Sequence, residues 1–81
     1  MRINTAHLPA DLRARMTDAI YGHILDGADV LDAVALAAGD ARAEALAAGW
    51  APVMVRFVGD TVTALGRELV ADMVRNLAAA S

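Results

Sequence analysis

The chain has 81 residues, a formal net charge of −3, no cysteine, and a hydrophobic share of 58% that is rich in alanine and holds only Tyr21, Trp50 and Phe57 as aromatics. Without cysteine there is no disulfide staple, no thiolate nucleophile and no cysteine metal site. Alanine buries too little area to fill a sandwich or barrel but lets helices approach closely, so the expected class is all-α, a small three-helix domain with a long C-terminal helix.

The N-terminus shows no charged leader followed by an apolar core, and no apolar run reaches the roughly 18 residues of a membrane span. A cytoplasmic chain with no membrane contact is expected. Residues 1 to 17 carry three Arg against one Asp, and residues 45 to 81 balance three Arg against three acids. Residues 18 to 44 hold Asp18, Asp26, Asp29, Asp32, Asp40 and Glu44 against Arg42 alone. A field of that sign repels nucleic-acid phosphate and attracts basic protein surface.

Pro9 suits the first position of a helix and Asp11 its first turn, where the dipole favours an acid. Leu12, Met16, Ala19, Ile20, His23 and Ile24 then recur at steps of three and four, the helical period, before a stop at Gly27. A first helix over about residues 9–26 follows, with Gly22 marking a close helix contact. Asp29 caps a second helix over about residues 30–48, with Asp32 as an imperfect capping-box partner. Its inward stripe is Val30, Leu31, Val34, Ala38, Ala41, Ala45 and Leu46, and Gly49 ends it. Gly39 interrupts the pattern, so a break there with Asp40 as a fresh cap, making four helices, is the alternative.

Pro52 opens a third segment whose start, VMVRFV at residues 53–58, reads either as a β-branched strand or as the first turns of a long helix. A strand would find only Arg2 to Thr5 to pair with, and an isolated two-stranded ribbon is marginal. As a helix to about residue 78, Val55, Val58, Val62, Leu65, Leu69 and Met73 share one stripe, while Arg56, Asp60, Thr63 and Arg67 share another. Both stripes keep phase through Gly59, which favours one long helix. Val53, Phe57, Ala64 and Ala71 then make a second apolar line that two shorter helices cannot cover as well. It is expected to face outward, pairing the long helix across a homodimer or binding another protein.

Catalytic chemistry finds no footing. His23 stands three residues before Asp26, yet two ligands do not make a metal site. Asp26, Asp29 and Asp32 surround a helix start, where capping and solvation account for them, and the only serine is Ser81. The glycines stand singly and cradle no phosphate. No catalytic, cofactor-binding or metal-binding residue is assigned, and the chain is expected not to be an enzyme.

Residues 2 to 19, RINTAHLPADLRARMTDA, place Ile3, Thr5 and His7 in alternation before Leu8-Pro9 and Leu12. They resemble the opening of ribbon-helix-helix repressors and antitoxins, which have a short strand, Leu-Pro and an amphipathic helix. That resemblance implies a dimeric DNA binder with Arg2, Asn4 and Thr5 reading base edges. The sequence departs from the pattern at Asp26, Asp29 and Asp32, where the family's second helix begins at a phosphate, and like charge there opposes binding.

The function expected from the residues is therefore a non-catalytic protein-interaction protein, with nucleic acid not expected as a partner. Asp26, Asp29, Asp32, Asp40 and Glu44 would steer it to a basic surface of its target, and Trp50, Val53 and Phe57 would anchor it. One concrete version is a stoichiometric inhibitor of phage or plasmid origin, similar in size and motif poverty to anti-CRISPR proteins. The alternative is a ribbon-helix-helix-like DNA-binding regulator or antitoxin.

Overall fold

The computed structural model describes residues 8–80, which form three helices and no strand: α1 Ala10–Leu25, α2 Val30–Ala47 and α3 Pro52–Ala80. The fold class is all-α with a long C-terminal helix, so VMVRFV is helix. Pro52 occupies the first helical position, where its missing N–H costs nothing. Pro9 instead stands outside α1 as its N-cap, with ψ 142°. Asp26 and Ala48 are C-caps.

Both connections follow from glycine. Gly27 and Gly49 take φ of 107° and 80°, the left-handed region that glycine enters at no steric cost. At the first, Gly27 N–H donates to the Ile24 carbonyl and Ala28 N–H to that of His23. At the second, Gly49 N–H donates to Leu46 and Trp50 N–H to Ala45. These paired bonds are the Schellman ending of a helix, and they turn the chain back on itself twice.

α2 runs unbroken through Gly39 and Asp40, so the four-helix alternative does not hold. Its cap is Asp29, whose carboxylate accepts the Asp32 N–H at 2.9 Å, an arrangement worth about 1 kcal/mol. One glycine costs only about 1 kcal/mol in a helix interior, too little to break a helix held on two sides.

The core joins Met16 and Ile20 of α1, Ala33, Val34, Ala37 and Ala38 of α2, and Val62 and Leu65 of α3. Leu8, Leu12, Ile24, Ala28, Ala41 and Leu69 pack around it. The expected α3 stripe faces inward, with Val55, Val62 and Leu65 buried. Thr61 is buried too, and its hydroxyl is satisfied by donating to the Phe57 carbonyl at 2.8 Å.

The expected α2 stripe needs correction. Leu31 and Leu46 are 75% and 63% exposed, while Ala33 and Ala37 take the buried positions. Apolar residues stand all round this helix, so its period does not single out a face. Ala19 of α1 is likewise exposed.

Gly22 also needs correction, because a Cβ there would meet nothing within 4 Å. The close helix approaches fall at Gly59, against the Arg42 side chain, and at Gly66, against Val34. Gly22 and Gly39 both lie in open space without positive φ. Replacing either with alanine is therefore expected to raise stability by about 0.5–1 kcal/mol, seen as a higher urea midpoint with unchanged slope.

No helix among the described residues is long and apolar enough to cross a membrane.

Candidate functional site

Ala37, Ala41 and Ala45 of α2 and its C-cap Ala48, at steps of four, four and three, line the space beside α1 with side chains too short to fill it. A groove of about 300 Å³ results. Leu12, Met16 and Ala19 form its α1 wall, and Val58 and Val62 of α3 complete the lining. Trp50 lines it as well. The Schellman turn puts that indole two residues past the C-cap of α2, beside Ala45, and it stays 49% exposed.

Arg15, Asp40 and Glu44 are the polar members of the lining. His23 Nε2 lies 2.7 Å from Asp40 Oδ2, and Arg15 Nη2 lies 3.5 Å from Glu44 Oε1, so two polar contacts join α1 to α2 beside the groove. The Arg15 and Glu44 side chains are 72% and 75% exposed. An ion pair in that much solvent is worth at most about 1 kcal/mol, so a cation from outside can replace Arg15 on Glu44 at small cost.

Of the eight residues expected to bind a partner, three line the groove and five lie outside its lining. Asp26, Asp29 and Asp32 are exposed around the α1–α2 connection. Asp40, Glu44 and Trp50 border the groove. Val53 and Phe57, 72% and 41% exposed, lie on α3 outside the groove lining. The length of α2, roughly 27 Å at 1.5 Å per residue, separates the first carboxylates from Trp50.

No protein family, curated protein or solved structure matches this chain.

Nothing in the amphipathic pattern singled out the groove wall. The available signal was the run of alanines at 37, 41, 45 and 48, a face of one helix with no side chain larger than a methyl group. His23 meets Asp40 across helices rather than joining Asp26 in a ligand pair. Among the described residues no group of three or more His, Cys, Asp or Glu is placed to hold a metal ion. Arg2, Asn4 and Thr5, the base-reading positions implied by the ribbon-helix-helix resemblance, lie outside the described residues.

Proposed function

We propose that this chain is a non-catalytic protein-interaction protein that takes an apolar segment of its partner into the groove between α1 and α2. The observation that carries this is the alanine-walled groove with Trp50, Asp40 and Glu44 on its border. Alanine walls admit a helix or a large side chain at close range, as in helix-in-groove recognition. Trp50 supplies the half-exposed aromatic that anchors such contacts. Asp40 and Glu44 favour a partner whose apolar segment is flanked by Lys or Arg, and exposed acids of this kind speed encounter more than they add affinity.

A chain acting this way works by occupancy. A stoichiometric inhibitor that covers a basic surface, of the kind anti-CRISPR proteins from phage or plasmid provide, is the concrete form we favour, supported by the net −5 middle of the sequence and its lack of a catalytic constellation. Asp26, Asp29 and Asp32, exposed at the start of α2, would face phosphate in the ribbon-helix-helix alternative and repel it.

Affinity purification from the source cell tests the proposal with three baits: the wild-type chain, Ala41→Leu, which fills the groove, and Asp40→Lys/Glu44→Lys, which reverses its border. A protein recovered with wild type is expected to fall about tenfold or more with both variants, the loss of 1.4 kcal/mol or more. Equal recovery by all three overturns the groove as the binding site. A salt-sensitive gel shift with labelled DNA, abolished by Arg2→Ala, would instead favour the DNA-binding alternative.

A further inference from the structure

Beyond the groove, the outer face of α3 carries a repeat of its own. Val53, Phe57, Asp60, Ala64, Arg67, Ala71 and Val74 follow one another at steps of four and three throughout. That is the heptad spacing of a helix that pairs with another helix, sustained over three repeats. None of these residues is buried within the chain: all are exposed except Ala64, which is half-buried. The repeat faces away from Val55, Gly59, Val62 and Gly66, the side of α3 that packs on α2, so the fold leaves it clear of the groove.

We propose that this seam binds a second copy of the chain, antiparallel, with the two-fold axis between Thr63 and Ala64. The residues are self-complementary under that operation. Val53 comes level with Val74 of the second copy and Asp60 with Arg67, while Phe57 and the small Ala71, and the two copies of Ala64, come within one residue's rise of level. Each contact except the central one between the two copies of Ala64 occurs twice about the axis, as an isologous interface requires.

Charge decides both the occupant and its direction. Asp60 and Arg67 enter none of the ion pairs formed between described residues, and they interrupt an otherwise apolar or small-residue line. An antiparallel copy in this register gives each of them an opposite charge. A parallel copy would set Asp60 on Asp60 and Arg67 on Arg67, like charges at the same level, which is unfavourable. An unrelated partner would have to supply the same order of large, acidic, small, basic and small groups that the chain already carries in reverse. The alanines at the centre let the two helix axes come within about 8 Å.

Sedimentation velocity from low micromolar to hundreds of micromolar tests the dimer with surface charge swaps that leave the core alone. Wild type is expected to dimerise. Asp60→Arg and Arg67→Asp, each putting like charges together twice, are expected to raise the dissociation constant about tenfold or more. The double variant Asp60→Arg/Arg67→Asp exchanges the two charges and is expected to restore dimerisation. Circular dichroism should show the same helicity in all four proteins. A wild type that stays monomeric throughout the range overturns the proposal. So do single variants that dimerise as well as wild type, or a double variant that remains as weak as the singles.

Discussion

Truncation of Leu65 to alanine is expected to cost about 2–5 kcal/mol, the largest single effect in this chain. Leu65 is 0% exposed and belongs to a cluster that joins all three helices. Much of that cluster is Ala33, Ala37 and Ala38, whose side chains have no free torsion by which to move into a void. Met16 alone among the buried members has the flexibility to reach toward it. A chain of this length has a total stability of roughly 4–12 kcal/mol, so the loss takes a large share of it. Urea unfolding followed by helical circular dichroism measures the change. Leu31→Ala in the same experiment should cost under about 0.5 kcal/mol, since Leu31 is 75% exposed. Equal costs at the two leucines would show that the core lies elsewhere.

At Gly66 the expected result is a loss where helix propensity by itself predicts a gain. A Cβ at Gly66 would lie 2.5 Å and 2.6 Å from the two γ-methyls of Val34 and 3.1 Å from its Cβ. Valine in a helix is held to essentially one rotamer, so it cannot swing clear, and α2 and α3 must part instead. Overpacking of this kind costs about 1–3 kcal/mol, against a propensity gain of about 1 kcal/mol for alanine over glycine. Gly66→Ala should therefore lower stability by up to about 2 kcal/mol, opposite in sign to Gly22→Ala. Val34→Ala makes room, so the double variant should be more stable than the sum of the single effects by about 1 kcal/mol or more. Gly59→Ala should be milder, because the atoms it would meet belong to the Arg42 side chain, which can bend away into solvent. Were Gly66→Ala to stabilise the chain as Gly22→Ala does, the close approach of α2 and α3 would be wrong.

The groove and the α3 seam lie on different sides of the molecule, so a dimer formed along α3 leaves both grooves open. The two proposals can therefore fail independently. Asp60 and Arg67 line no part of the groove, and Ala41 lies on α2, outside the seam.

Local chemistry legible in one dimension determined the helices themselves. Gly27 and Gly49 offered cheap positive φ, Asp29 offered a carboxylate to orphan N–H groups, Pro52 offered a preset φ at a helix start, and the unbroken phase of Val55, Val58, Val62 and Leu65 favoured a helix over a strand. The outward line of Val53, Phe57, Ala64 and Ala71 was legible for the same reason, since α3 mixes charged and apolar residues and its faces stand out. Only the tertiary structure decided which face of α2 is inside and which glycines are tight. In a helix apolar all round, Leu31 and Ala33 look alike to a periodicity argument, and burial falls to whichever side two neighbouring helices cover. Gly22, Gly59 and Gly66 are identical as letters, but only the last two lie where another helix crosses. The groove is likewise a property of three helices at once, made by what the alanines at 37, 41, 45 and 48 fail to fill once α1 is in place.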